Sequence, residues 1–192
     1  MSVPPSVVSP ASPGDAQTHR IPALLTQLVQ DLADSALTNR TLFERLAETA
    51  RALVGASSTC VLEVVEDGVR VAAATGDGRM FDGDTFPLAP APSLLREVID
   101  SRCARYADEA ASDPRVEPRF QQALDVRCLA LAPIVLGGDV VGLLACINTQ
   151  HGAFNDADLL LLEHVAAHAA MVMRSRALVR QAEAAASDAR AR

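Results

Sequence analysis

The chain has 192 residues, enough for one domain with flanking segments, and its formal net charge is −7. An acidic protein is a poor direct partner for nucleic acid or an anionic membrane, because phosphate contacts need basic side chains. No run approaches the roughly 20 apolar residues of a membrane span, and the first residues lack a secretory pattern, so we expect a cytoplasmic protein.

The N-terminal segments precede the folded domain. Residues 1–18 are rich in Pro and Ser, a composition that predicts a disordered tail. Residues 19–37 carry apolar side chains at three- and four-residue steps, which predicts an amphipathic helix. An apolar stripe of this kind needs a partner surface, so we expect it to form a homodimer interface. The stripe residues expected there are Leu25, Leu28 and Leu32.

A second helix opens the predicted domain, residues 38–174. Thr41 and Glu44 form a capping-box pattern, which predicts that the helix begins there. Gly55 predicts its end, because glycine readily adopts the left-handed conformation that terminates helices.

The next part of the chain predicts a hairpin, a covering loop and three short elements. Two β-rich runs, Cys60–Val65 and Val69–Thr75, are separated by Asp67-Gly68, which favours a tight turn. Residues 76–92 carry Gly, Asp and Pro at close intervals, which predicts a loop lying over the sheet. The expected elements that follow are a helix capped by Ser93 and ending near Ser101, an edge strand Arg102–Tyr106 and a helical segment Pro118–Leu124.

Two apolar runs, Cys128–Leu136 and Val140–Ile147, predict the central hairpin of an antiparallel sheet. They are joined by Gly137-Gly138, which supply the positive φ of a tight turn. A two-residue turn there places Cys128 and Cys146 on opposite faces of the sheet, because side chains alternate along a strand. A disulfide between these two cysteines is therefore not expected.

A long helix is predicted from Asp156 to about Arg180. Asn155 and Asp158 form its capping box, and Phe154 and Leu159 occupy the two positions of a hydrophobic staple. Together with the preceding elements, this order belongs to the α+β class, with helices gathered on one face of an antiparallel sheet.

Several motifs in the C-terminal half resemble those of the GAF domain family. They are Pro133-Ile134, Gly137-Gly138-Asp139, the run Val140–Leu144 and the helix start Phe154–Glu163. The segment Tyr106–Arg115 is similar to the family's loop before its fourth strand. The resemblance implies a GAF/PAS-like antiparallel sheet of five to six strands.

The resemblance also implies a small-molecule pocket on the face away from the main helices, roofed by the loops and short helices between Gly76 and Asp125. Candidates for its lining, chosen by position, are Phe81, Phe86, Tyr106, Phe120, Arg127 and Cys128. Core packing of the aromatics and a surface ion pair of the arginine are the structural alternatives.

The function implied is that of a non-catalytic sensory or signal-transduction module. Such a module binds a small molecule or responds to redox state, and relays the change through dimeric terminal helices. Residues 175–192 have high helix propensity and little apolar surface, which predicts a helical connector to an output domain or kinase partner, with Leu178 at the dimer helices. A ligand-free dimerisation module is the alternative without a ligand.

Two further alternatives depend on particular residues. Haem-binding members of the family place a histidine six residues before the strand proline, and that position here is Arg127, so haem is disfavoured and the cofactor stays unknown. Free methionine sulfoxide reductases of the family need two cysteines near the pocket, and Cys103 and Cys128 are the candidates.

One histidine pair has metal-ligand spacing. His164 and His168 lie one helical turn apart, within reach of one metal ion, but the sequence shows no third ligand. An interface or solvated pair is therefore the favoured interpretation.

Overall fold

The computed structural model describes residues 38–88 and 92–191, together with residues 22, 23, 26 and 30, which are helical. The predicted tail and most of the predicted helix 19–37 lie outside the described residues. This includes Leu25, Leu28 and Leu32.

The described chain folds into one six-stranded antiparallel sheet with helices on both sides. Its strands lie in the order β3-β2-β1-β6-β5-β4, which confirms the predicted α+β class. The strands are β1 Ala56–Val65, β2 Gly68–Thr75, β3 Thr85–Pro87, β4 Arg105–Ala107, β5 Leu129–Leu136 and β6 Asp139–Thr149. The helices are α1 Asn39–Val54, α2 Leu94–Ser101, α3 Pro118–Leu124 and α4 Asp156–Ala191, with a 3₁₀ helix at Gly76–Phe81.

Both faces of the sheet are buried. Helices α1 and α4 cover one face, which we call the helix face. The shorter helices α2 and α3 and the loops around them cover the other, which we call the roof face. Along β1, Cys60 and Leu62 belong to the roof-face core and Val61 to the helix-face core, as strand alternation requires. Because both faces of the sheet are shielded from solvent, the central strands have continuous apolar sequences.

Helix α1 begins earlier than the capping-box pattern predicts. Its N-cap is Thr38, whose hydroxyl accepts the backbone N–H of Thr41 at 3.2 Å. The predicted start at Thr41 and Glu44 is therefore wrong, and Glu44 instead accepts from Arg40 within the helix at 2.9 Å. The predicted end is confirmed, because Gly55 has φ +61° and ends the helix in the left-handed conformation.

The segment between β2 and α2 contains two elements where the sequence predicts only a loop. A 3₁₀ helix, Gly76–Phe81, leads to the short strand β3, which pairs Phe86 with Val69. Three-residue strands leave too short a pattern for sequence periodicity to reveal.

Two other boundaries differ slightly from the prediction. The β1–β2 turn contains Glu66 and Asp67, since Val65 already pairs with Gly68. The edge strand β4 begins after the predicted Arg102, because that residue is the left-handed C-cap of α2, at φ +56°.

An irregularity in the β5–β6 hairpin reverses the prediction about the cysteines. The Gly137-Gly138 turn forms as predicted, but Val141 is an extra residue on β6. Because of this bulge, Ala130 lies opposite Cys146, one residue out of the predicted register. A one-residue shift turns every later side chain to the other face. Cys128 and Cys146 are thus both buried on the helix face, as free thiols, and the prediction of opposite faces is wrong.

Helix α4 begins at the predicted capping box. The Asn155 side chain accepts the N–H of Ala157 at 2.9 Å, and Asp158 accepts the N–H of Asn155 at 3.1 Å. The helix continues past the predicted Arg180 to Ala191. None of the described helices is both long enough and apolar enough to cross a membrane.

Candidate functional site

A small, partly open cavity lies between the roof and the centre of the sheet. Its volume is about 30 Å³. The floor comes from β1, β5 and β6, and the walls come from α2 and from the segment that runs into α3. The lining residues are Leu62, Leu94, Leu95, Arg115, Val116, Glu117, Phe120, Val126, Leu129, Leu131, Ala145 and Ile147.

The floor of the cavity follows from strand alternation. Leu62, Leu131 and Ala145 all point to the roof face, and Ala145 is small, so it leaves space between the larger neighbours. The wall is held by Ser93, the N-cap of α2, and by a hydrogen bond from the Leu94 N–H to the Arg115 carbonyl at 2.8 Å. This hydrogen bond attaches the start of α2 to the segment that contains Arg115.

The polar rim of the cavity contains an ion cluster around Arg115. Arg115 donates through Nε and Nη2 to the Asp113 carboxylate at 3.0 and 2.7 Å, and through Nη1 to Glu97 at 3.0 Å. The hydrogen bonds from Arg115 hold the pKa of the Asp113 carboxyl below its usual range. Asp113 in turn raises the pKa of the arginine. The guanidinium charge is therefore compensated within the protein.

We expect Asp113→Asn to lower the free energy of unfolding at pH 7 by about 1 kcal/mol, because the pair is partly solvated. A carboxyl with a depressed folded-state pKa stabilises the fold above its unfolded pKa of about 3.9, and the stabilisation disappears as pH falls through the folded pKa. The difference between the variant and the wild type should therefore shrink below about pH 4. Urea denaturation at several pH values measures this, and a difference independent of pH would contradict it.

Three aromatic rings form a cluster beside the cavity. Phe86 and Phe120 stack with centroids 4.3 Å apart, and Phe81 meets both rings edge-on. The Arg119 guanidinium lies 4.7 Å from the centre of the Phe86 ring and pairs with Asp84 at 3.0 Å. These contacts attach α3 to the β3 side of the roof.

Half of the predicted pocket residues lie together. Phe120 lines the cavity, and Phe81 and Phe86 adjoin it through the cluster. The burial of Phe81 and Phe86 also fits the core-packing alternative, since both belong to the roof-face core. Ligand binding by these residues stays a prediction.

The other three predicted pocket residues lie elsewhere, so their placement was wrong. Tyr106 packs against the helix face, because it pairs with Ala130, a helix-face residue of β5. Cys128 is also buried on the helix face. Arg127 is exposed. The register shift at Val141 is the physical reason for the cysteine error.

Sequence reasoning missed Asn148, which shapes one end of the roof. Its backbone has φ +52°, and its side-chain oxygen accepts the N–H of Arg127 at 2.7 Å and of Cys128 at 3.3 Å. Its amide donates to the Asp125 carbonyl at 3.0 Å. Asn148 thereby holds the segment that carries the lining residue Val126. An asparagine at the end of an apolar run was the available signal.

A second, larger depression lies between α1 and β2. Its volume is about 360 Å³, and it is open to solvent. Its carboxylates are already paired: Glu44 with Arg40 and Glu48 with Arg51, each at 2.9 Å. We regard the roof-face cavity, which is the less open of the two and mostly apolar, as the better candidate, because binding sites bury most of a ligand's surface.

The cysteines do not converge on the cavity. Cys103 is exposed in the loop after α2, and Cys128 is buried on the helix face. Burial raises the pKa of Cys60 and of Cys146 to about 12, so both remain protonated thiols at neutral pH.

The predicted histidine pair faces outward on α4. The Nδ1 of His164 bonds the Leu160 carbonyl at 2.6 Å, and that of His168 bonds the His164 carbonyl at 2.8 Å. Within residues 38–88 and 92–191, no group of three or more His, Cys, Asp or Glu could hold a metal ion. Both rings are therefore engaged with the backbone of their own helix.

An exposed apolar stripe runs along α4. Leu160, Met171 and Leu178 are 56%, 60% and 57% exposed, and Ala167 is exposed between them. Successive spacings of seven, four and seven residues are those of the a and d positions of a heptad. We call these four residues the α4 stripe. The remaining a and d positions between Leu160 and Leu178 are His164 and Arg174, which are exposed and polar, so the stripe is interrupted twice.

Comparisons with known proteins agree on one family. The family model described as GAF domain matches residues 36–174. No curated protein matches significantly.

Solved structures give the same fold at low sequence identity. A GAF domain from A. aeolicus in an inactive state is 12% identical, with a TM-score of 0.68, over 83% of this chain and 99% of that one. The GAF domain of a phosphoenolpyruvate-protein phosphotransferase from Coxiella burnetii is 16% identical, with a TM-score of 0.71, over 85% and 98%. The phycoerythrobilin-bound GAF domain from a cyanobacterial phytochrome is 17% identical, with a TM-score of 0.70, over 85% and 99%.

Proposed function

The chain belongs to the GAF domain family, and from this membership we propose that it is a non-catalytic sensory module whose roof-face cavity binds a small molecule. The observation that carries the proposal is the largely apolar cavity between the sheet and the roof, whose helix α3 is attached through side-chain contacts. A ligand that fits one arrangement of this roof better than another shifts the balance between them.

The cavity volume argues against the large pigments of some relatives. One similar structure carries phycoerythrobilin. A cavity of about 30 Å³ is far smaller than such a pigment or a haem. The proposed ligand is therefore small, and haem stays disfavoured, since Arg127 is exposed at the position where related haem proteins place a histidine.

A non-catalytic role is supported by the positions of the thiols. A sulfoxide reductase needs two cysteines at its pocket, and neither Cys103 nor Cys128 lines the cavity. Four free cysteines fit a reducing compartment, which supports a cytoplasmic location.

The proposed output is a change in helix packing in a homodimer, passed to an output domain or kinase. The α4 stripe supplies the surface, and α4 reaches the sheet through buried residues such as Leu162 and Val165. Movement of the sheet can thus reach the connector along one continuous helix.

We expect Leu178→Glu to weaken the dimer by about tenfold or more, because it replaces an apolar contact of the α4 stripe with a carboxylate that must lose its hydration at the interface. The control is Ala186→Glu, which adds the same charge at an exposed position about 80° around the helix. Sedimentation equilibrium measures both dissociation constants. Equal effects of the two variants would refute an interface at the α4 stripe.

The small volume of the cavity favours one second candidate, a dimerisation module without a ligand. Native mass spectrometry of the protein purified from cells decides between them. Extra non-covalent mass on each protomer supports ligand sensing. An unloaded dimer that also binds nothing in a metabolite screen contradicts the sensory proposal and leaves the dimerisation module.

A further inference from the structure

We infer that the roof-face cavity takes a neutral, apolar molecule of hydrocarbon character, and that this molecule enters by displacing the Phe120 ring. The inference rests on the proposed function, since it assumes that this cavity is the ligand site. It specifies the chemical class of the ligand, which family membership leaves open.

The lining of the cavity is mostly apolar. Ten of the twelve lining residues are apolar, and the two polar ones, Arg115 and Glu117, are neighbours along one wall. The floor residues Leu62, Leu131 and Ala145 carry no side-chain donor or acceptor. A polar ligand would lose its hydrogen bonds to water there without replacing them, whereas an apolar ligand loses only unfavourable hydration.

The charged residues of the lining disfavour an anionic ligand. Arg115 is the cation of the lining, and its Nε, Nη1 and Nη2 all donate to Asp113 or Glu97. An anionic ligand would have to displace one of these carboxylates. Glu117 adds a further negative charge to the same wall, which opposes phosphates and carboxylates. A cation would be attracted to this wall but would lose its hydration against the ten apolar residues of the lining, at a larger cost.

The cavity is too small to hold an aromatic ring without a change in the roof. An apolar cavity of about 150 Å³ stays dry and binds benzene, so a cavity of about 30 Å³ must expand before it holds a ring. Helix α3 has one buried residue, Leu124, and is attached to the rest of the roof mainly through side chains, among them Gln121, which donates to the carbonyls of Ala110 and Asp113 at 2.8 and 2.9 Å. Phe120 belongs both to the lining and to the stack on Phe86. A ligand ring that takes the place of Phe120 gains the same apolar surroundings.

The experiment uses the full chain with labelled Leu and Val methyl groups, observed by NMR. Toluene is the neutral probe, and benzoate and benzylammonium are charged probes with the same ring. We expect toluene to shift the methyls of Leu62 and Leu131 saturably, and the charged probes to bind at least tenfold more weakly.

Three variants locate the binding. Phe120→Ala opens the predicted space and should raise toluene affinity about tenfold. Ala145→Val fills part of the floor and should lower it by a similar factor. Tyr106→Ala removes an aromatic ring from the helix face and serves as the matched control, with no change in toluene affinity expected.

The outcomes separate this inference from the proposed function. Absence of toluene shifts in both the wild type and Phe120→Ala overturns the inference, as does a charged probe that binds as tightly as toluene. If native mass spectrometry then finds a polar or charged molecule bound, the sensory proposal stands with a different ligand class. If it finds nothing and the metabolite screen is negative, both fall.

Discussion

Replacing Gly142 by alanine should lower the free energy of unfolding by about 2–3 kcal/mol. A Cβ at this position of β6 would lie 2.5 Å from the carbonyl oxygen of Leu62 in β1. That oxygen belongs to the backbone of a central strand paired on both sides, so it cannot move away without disturbing the ladder. Urea denaturation followed by circular dichroism measures the effect.

The matched control is Gly137→Ala in the turn of the same hairpin. Gly137 has φ +65°, and a Cβ added there would have no atom within 4 Å, so the substitution brings backbone strain without a clash, about 1 kcal/mol. Asparagine tolerates positive φ, so Gly137→Asn should recover part of this loss, whereas Gly142→Asn should not. If the two alanine variants are equally stable, close approach of β1 and β6 is not what requires glycine at position 142.

The position of Gly142 also shows where sequence reasoning failed. It follows Val141, the extra residue of the β6 bulge. The available signal was Gly142 itself, because a glycine inside a strand often marks a bulge or the close approach of another backbone. The turn at Gly137-Gly138 was predictable because its signal is local. The bulge depends on how β6 fits between two neighbouring strands, and one unrecognised residue was enough to place Cys128 on the wrong face.

The local signals at helix ends were mostly sufficient. Asn155 with Asp158, and Gly55, act through atoms a few residues apart, so the sequence contains the whole interaction. The start of α1 failed because Thr38 and Thr41 are both acceptable caps, and the choice between them depends on which residues α1 must bury.

The cavity could be predicted as a region but not as a set of residues. The candidates were chosen by their position in the chain, yet the floor is aliphatic and includes the small residue Ala145. Both faces of β1, β5 and β6 are apolar, so hydrophobic periodicity does not show which residues face the roof. That assignment requires the register of all three strands.

We expect Phe86→Ala to lower the free energy of unfolding by about 3–4 kcal/mol, more than the alanine substitution at Gly142. Phe86 is fully buried, stacks on Phe120 and lies beneath the Arg119 guanidinium. Phe120→Ala should lower the free energy of unfolding by less, about 1–2 kcal/mol, because Phe120 is only half-buried and the substitution removes less buried apolar surface. Thermal and urea denaturation measure both.

The double variant tests whether this stack holds the roof. If α3 is attached to β3 through the two rings, the sum of the two single losses should exceed the loss in the double variant, with a coupling of about 0.5–1.5 kcal/mol. Hydrogen exchange adds a local measure, since Phe120→Ala should speed exchange in α3 while leaving β5 and β6 protected. Coupling near zero, with unchanged exchange in α3, would mean that the polar contacts of Arg119 with Asp84 and of Gln121 with the Ala110 and Asp113 carbonyls hold the helix instead, and that displacing Phe120 does not open the roof.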